Sequence, residues 1–303
     1  MSWQALSDDV FELGESPFWH PSEQQLYWVD IPGKAILRAN IYMGFVQRWD
    51  MPSEPGCIAP AAKGGLVIAL RDGVFRAQEW GGELERIATL PYDTAVIRAN
   101  DGKCDALGRF WVGTIDEPKA GRAAELFSVD CRSGSPIVQR HAGDALTANG
   151  LAWSPDNGAV YWSDTPNHLT HAWDYDLASN LLSAHRVWRT YEPKPAGWTF
   201  ENTAYAGRPD GAAVDVEGNY YAAMFEGRRI CKFAPDGRLL ASWETPAQCP
   251  TMPCFGGEDL KTLYITTARH GRSAAELVQF PLSGAVFFMR VDVAGLPVHF
   301  FAD

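Results

Sequence analysis

Leu26-Tyr27-Trp28-Val29-Asp30 is a short run of aromatic and β-branched residues, the chemistry of a buried strand. A turn-forming cluster, His20-Pro21-Ser22, stands before it, and a second strand-like run, Ala35-Ile36-Leu37-Arg38, follows. The pattern returns along the chain as Gly65-Leu66-Val67-Ile68-Ala69, Arg109-Phe110-Trp111-Val112-Gly113, Val160-Tyr161-Trp162-Ser163-Asp164, Asn219-Tyr220-Tyr221-Ala222-Ala223 and Leu263-Tyr264-Ile265-Thr266-Thr267. Taking Tyr27, Val67, Phe110, Tyr161, Tyr220 and Tyr264 as markers, the steps are 40, 43, 51, 59 and 44 residues. Units of about 50 residues have the size of four-stranded propeller blades. One blade cannot bury both of its faces, whereas six around an axis can, and ring closure protects their edges. The sequence therefore reads as all-β, a single six-bladed β-propeller domain over residues 1–303, with an open sandwich or two stacked barrels as the alternatives. The tail runs Ala285-Val286-Phe287-Phe288-Met289 and Val298-His299-Phe300-Phe301 are expected to complete the last blade together with the N-terminal segment. The longest step predicts an insertion, placed at residues 188–208 around Pro193, Pro195 and Gly197, where a long loop would serve as a lid.

Composition narrows the function. The chain is 46% hydrophobic and 21% charged, enough to fill a core, and its net charge is -11. That charge repels phosphate backbones and anionic bilayers, so neither nucleic acid nor a membrane surface is an expected partner. The start, Met-Ser-Trp-Gln-Ala-Leu-Ser-Asp-Asp, lacks the basic and apolar parts of a leader, and no run approaches the ~18 apolar residues of a membrane span. The expectation is a cytoplasmic protein, a monomer or a weak homo-oligomer. Six cysteines without a Cys-x-x-Cys pair fit reduced thiols, Cys249 and Cys254 included. His-Glu-x-x-His, EF-hand, nucleophile-elbow and phosphate-loop patterns are all missing, and His168 and His171 read as solvated residues of a polar connection.

The innermost strand of each blade should precede the turn before its marker. Aligned that way, four units begin Glu15-Ser16-Pro17, Asp101-Gly102-Lys103, Asn149-Gly150-Leu151 and Asp210-Gly211-Ala212. Taken singly, Asp-Gly and Asn-Gly are ordinary turn dipeptides. Their shared place in the repeat supports the other possibility, that hard oxygen donors far apart in sequence meet at one end of one channel. Buried together, such donors repel unless a cation binds them.

At these residues the chain resembles the SMP-30/gluconolactonase family, which includes regucalcin and bacterial sugar lactonases. The resemblance covers nearly the whole chain. It rests on Gly14-Glu15-Ser16-Pro17 with Tyr27-Trp28-Val29-Asp30, Arg98-Ala99-Asn100-Asp101-Gly102-Lys103, Asn149-Gly150-Leu151, Pro209-Asp210-Gly211 and Phe255-Gly256-Gly257. It implies a six-bladed propeller with one divalent cation held by Glu15, Asn149 and Asp210. It implies substrate contacts by Arg98, Asn100 and an acid after Gly113-Thr114, which is Glu117 or its neighbour Asp116. Asp101 sits in the motif without being a ligand.

The activity so implied is hydrolysis of a sugar-derived lactone to its aldonic acid. The cation would polarise the carbonyl and activate water, with Asp210 as general base. Oxygen donors accept Ca²⁺, Mg²⁺, Mn²⁺, Fe²⁺ or Zn²⁺ and do not choose among them. Two rivals stand beside it. One is a calcium-binding regulatory propeller without turnover. The other is a hydrolase of bulkier esters, for which Trp19, Trp153 and Trp198 would shape a more apolar pocket.

Overall fold

The structure, a computed structural model, describes residues 2–41 and 44–303, so Met1, where the leader was sought, lies outside the described residues. Among the described residues, twenty-four strands form six four-stranded antiparallel sheets, five of them meanders of sequence neighbours and the sixth completed by a strand from the N-terminus. The inner strands are Gly14–His20, Cys57–Pro60, Ile97–Cys104, Ala148–Trp153, Arg208–Val214 and Pro250–Gly256, for blades 1 to 6 in order. Each marker run is the second strand of its blade, beginning with Gln25–Asp30 and ending with Thr262–Thr267. The molecule is a six-bladed β-propeller.

The core explains why the runs are apolar on both faces. Six buried clusters are present among the described residues, and each is shared by two successive blades. Tyr27, Val29 and Ile36 of blade 1 pack on Ile58, Ile68 and Phe75 of blade 2, for example. Trp28 and Leu26 point the other way, onto Tyr264 of blade 6. Strand alternation thus gives every blade one face for each neighbour. Burying a side chain of this size is worth about 1.5–3 kcal/mol, so blade contacts supply the main stabilising term.

The ring is closed by the N-terminus, as expected. Gln4–Ala5 pairs with Phe287–Arg290 as the outer strand of blade 6, in the register Gln4↔Phe288 and Ala5↔Phe287. The second tail run does something else. Residues 295–302 leave blade 6 and cross one end of the ring, where Leu296 N donates to Val214 O (3.1 Å), Phe301 N to Pro60 O (2.8 Å) and Ala302 N to Gly108 O (3.0 Å). The tail therefore ties blades 5, 2 and 3 together instead of finishing blade 6.

The insertion is also narrower than 188–208. The outer strand of blade 4, Leu181–Thr190, continues through Trp188, and the inner strand of blade 5 already begins at Arg208. The connection is 191–207, and it is fastened down. His168 Nε2 lies 2.8 Å from Tyr205 Oη and accepts from Lys194 N (3.2 Å), so His168 is a brace and not a solvated bystander. All six cysteines are free. The one α-helix among the described residues, Ala274–Gln279, is short, and none is long and apolar enough to cross a membrane.

Candidate active site

In five inner strands the pairing with the second strand slips. The slips lie between Glu15 and Phe18, Ala99 and Gly102, Asn149 and Ala152, Pro209 and Ala212, and Pro250 and Pro253. Such a bulge inserts residues without ladder partners and re-aims the side chains beside them. The Asp-Gly and Asn-Gly pairs are therefore bulge residues within strands, not hairpin turns. Gly150 shows why glycine is needed: its φ is +60°, and a Cβ there would lie 2.3 Å from Tyr220 Oη, which donates to Gly150 O at 2.8 Å. Blade 2 pairs without a slip over Cys57–Pro60, and none of these four residues lines the cavity described next.

The re-aimed side chains line one cavity of about 160 Å³ at the mouth of the central channel. Its walls repeat a two-residue spacing: Leu13 with Glu15, Arg98 with Asn100, Thr147 with Asn149, and Arg208 with Asp210. Five of the predicted residues, Glu15, Arg98, Asn100, Asn149 and Asp210, are thereby brought together. Asp101 is not the counterpart of Glu15; Asn100 is. One residue further on, Asp101 turns away, its Oδ2 accepting from Leu151 N at 2.9 Å. The approach to two of the bulges is held by the aspartates that end the second strands. Asp30 accepts from Leu13 N (3.0 Å) and Glu12 N (3.2 Å), and Asp164 from Leu146 N (3.2 Å) and Thr147 N (3.3 Å).

Neither Glu15 nor Asp210 forms an ion pair with a described residue, although Arg98, Lys119 and Arg208 line the same cavity. Glu15 and Asp210 are both buried. Burial pushes the Asp210 carboxyl up from 3.8 to about 8, with Asp101 adding to the effect and Arg208 opposing it. Burial also lifts Glu15 well above the carboxylate range, with Asp210 and Asp101 adding to it. Glu15 Oε2 accepts from Ser16 N (2.9 Å), and Ser16, at φ 48°, is fixed by its hydroxyl, which accepts from Ile58 N (3.0 Å). Asn149 Oδ1 accepts from Asn100 Nδ2 (2.9 Å), and its own Nδ2 donates to Thr165 Oγ1 (2.8 Å). That leaves a free lone pair on the Asn149 oxygen. Two buried carboxylates and one carboxamide oxygen form a donor set suited to a hard divalent cation. Among the described residues no three His, Cys, Asp or Glu side chains are grouped to hold a metal; the third donor here is an amide.

Asn100 has both amide hydrogens committed, to Ala148 O (2.9 Å) and Asn149 Oδ1, while its Oδ1 accepts from Arg98 Nη1 (3.0 Å). It orients Asn149. Glu117 sits on the loop after Phe110–Asp116 at the edge of the site, 3.4 Å from Arg98 Nε, and it does not line the cavity. Asp116 is buried and spent on its own loop, accepting from Gly121 N at 2.7 Å. Sequence reasoning missed Arg71, which grips Glu117 with Nη1 at 2.8 Å and Nη2 at 3.0 Å while its Nε donates to Glu54 at 2.9 Å. It also missed Lys119 and Arg208, both in the cavity wall. The two-residue spacing could have found Arg208, which stands before Asp210 as Arg98 stands before Asn100.

A second cavity, of about 290 Å³, lies beyond the bulges and is lined by Phe18, Trp19, Trp153, Met252, Phe255 and the tail residues Leu296 to His299. It is larger, yet no carboxylate lines it. Of these two chambers, carboxylates line only the smaller. Trp19 and Trp153 face the apolar chamber, and Trp198 lies in the 191–207 connection, so none of the three shapes the polar cavity.

Residues 13–269 match the family described as SMP-30/Gluconolactonase/LRE-like region. The chain belongs to this family. Its relatives include a 6-deoxy-6-sulfogluconolactonase of Pseudomonas putida, 40% identical over 290 residues that cover 96% of this chain and 95% of the relative. Regucalcin of Danio rerio is 30% identical over 291 residues, covering 95% and 94%. A solved structure of a calcium-binding protein, regucalcin from Agrobacterium tumefaciens, superposes with a TM-score of 0.89 at 23% identity over 99% of this chain and 97% of that one. At that identity the superposition supports the propeller fold alone.

Proposed function

We propose that the protein hydrolyses a sugar-derived lactone with the help of one divalent cation held by Glu15, Asn149 and Asp210. The observation that carries this is the convergence of two buried carboxylates, an amide oxygen and Arg98 on one polar cavity. The sugar-lactone name of the Pseudomonas putida relative supports it. When bound, the cation would polarise the lactone carbonyl and acidify water, as a Lewis acid does. Asp210 takes the proton from the attacking water and returns it to the ring oxygen as the carbonyl–oxygen ring bond breaks. One water is consumed, and one carboxylic acid and one hydroxyl are formed. Arg98 holds the lactone or a sugar hydroxyl, Asn100 keeps the Asn149 oxygen turned to its task, and Glu117 keeps Arg98 in place at the mouth.

The test is base consumption by the purified protein across aldonolactones, with Ca²⁺, Zn²⁺, Mn²⁺, Mg²⁺ and Fe²⁺ supplied in turn. Turnover that a chelator removes and a cation restores is expected. Full activity in chelator would rule out the cation, and tight calcium binding without turnover of any lactone would favour the regulatory alternative.

A further inference from the structure

On a chain of net charge -11, the wall of the polar cavity carries three cations, Arg98, Lys119 and Arg208. Arg98 is matched: with Arg71 it shares two carboxylates, Glu117 and Glu54. The other two cations are not. Lys119 lies on the loop between Phe110–Asp116 and Ala124–Asp130, and its ammonium makes no ion pair with a described residue. Arg208 Nη2 lies 3.2 Å from Glu226 Oε2, but Glu226 is shared with Lys194 (2.9 Å) and Arg272 (3.0 Å). Glu276 offsets only Arg272, so three cations meet two carboxylates there. The Arg208 pairing is also poorly aligned: Glu226 Oε2 accepts no hydrogen bond, and the buried Nε of Arg208 has no acceptor. Phe225, itself in the cavity wall, lies under the Arg208 guanidinium at 5.2 Å and fixes it. With Glu15 and Asp210 committed to a divalent cation, Lys119 and Arg208 are left as a surplus of positive charge. Burial lowers the Lys119 pKa, and Arg208 and Arg98 lower it further, against the opposing pull of Asp210 and Glu226.

We propose that Lys119 and Arg208 form a subsite for a fixed tetrahedral anion, a sulfonate or a phosphate ester, carried by the lactone at the end remote from its reacting carbonyl. This rests on the lactone reading and narrows its substrate class. A guanidinium with an open donor and an ammonium without an ion pair suit such a group through charge-assisted hydrogen bonds.

The experiment compares kcat/KM of the cation-loaded protein for three substrates: glucono-lactone, its 6-phosphate and its 6-deoxy-6-sulfo analogue. One of the anionic lactones is expected to be preferred by at least about tenfold, expressed in KM, and the lower KM tells sulfonate from phosphate. Lys119→Met and Arg208→Met are each expected to cut that preference about tenfold, and Lys119→Arg to keep it. Equal use of charged and neutral lactones, or a preference that survives both methionine variants, overturns the subsite. If no lactone is turned over, the lactone reading has failed separately. Calorimetry of the sulfonated and phosphorylated aldonates against gluconate then decides the subsite: tighter binding of an anionic ligand that weakens in Lys119→Met supports it, and equal binding refutes it.

Discussion

The same inner strands wall two chambers of opposite character. Before the bulges, Glu15, Asn100, Asn149 and Asp210 make a small polar cavity; after them, Phe18, Trp153, Met252 and Phe255 make a larger apolar one. The difference shows where the propeller stores its chemistry. Ladder pairing and blade contacts need apolar residues on both faces, so a regular inner strand such as Cys57–Pro60 contributes to the core and to the apolar chamber but not to the polar one. Where the ladder slips, a polar side chain is released from packing and turned toward the axis. The carboxylates on the polar side gain no core energy. They cost stability unless a cation or a proton neutralises them.

Mutations at the two chambers should therefore fail in different ways. The largest effect is expected at Asp210→Ala, a loss of kcat/KM on the order of 10³-fold with thermal stability kept or raised in metal-free protein. Titration of lactone hydrolysis beside a melting curve checks both halves, and unchanged hydrolysis would remove Asp210 from the site. Phe301→Ala tests the opposite chamber's end of the ring. Phe301 is fully buried against blades 2 and 3, so about 3–5 kcal/mol of stability should go while kcat/KM of the folded protein stays within about twofold. If both variants lose activity alike, the separation of the chambers is wrong.

The polar chamber should also show in the pH dependence of stability. The Asp210 carboxyl is raised from 3.8 to about 8 in the folded chain, so the folded state binds the proton more tightly than the unfolded one. The associated stability is complete below about pH 4 and is lost as pH rises through about 8, by at least about 2 kcal/mol. Denaturant unfolding of metal-free protein between pH 5 and 8.5 should follow that slope, and a saturating divalent cation should flatten it. A flat profile without cation contradicts the burial of an unneutralised Asp210. Arg71→Met is expected to act more weakly. Losing the grip on Glu117 should raise KM about tenfold with little change in kcat, and steady-state kinetics with Arg71→Lys as a partial rescue separate this from a folding defect. An effect on kcat alone would mean that Arg71 does not act through Glu117.

Much of this was legible in the sequence because strand pairing and blade packing leave a repeating mark. The run Leu26-Tyr27-Trp28-Val29-Asp30 must be apolar on both faces, and five other segments meet the same demand. Ring closure by the N-terminus followed from the need to cover an edge. The crossing of residues 295–302 did not, because its hydrogen bonds run to Val214, Pro60 and Gly108, whose sequence bears no sign of it. Glu15, Asn149 and Asp210 could be found because oxygen donors recur near the inner-strand starts. Asp101 misled because an Asp-Gly pair looks alike whether its aspartate faces the axis or turns to Leu151 N. Arg71 and Lys119 stand outside the repeating positions and reach the site through tertiary geometry alone, so no spacing reveals them.

The tail that lies across the apolar end has a consequence for traffic. Leu296 to His299 help line the apolar chamber, where the tail is tied to blades 5, 2 and 3. On the proposed lactone reading, the product acid carries a carboxylate the lactone lacked. Leaving through the polar cavity, it would pass Lys119 and Arg208. Added aldonate is then expected to slow turnover more than a neutral polyol of the same size does.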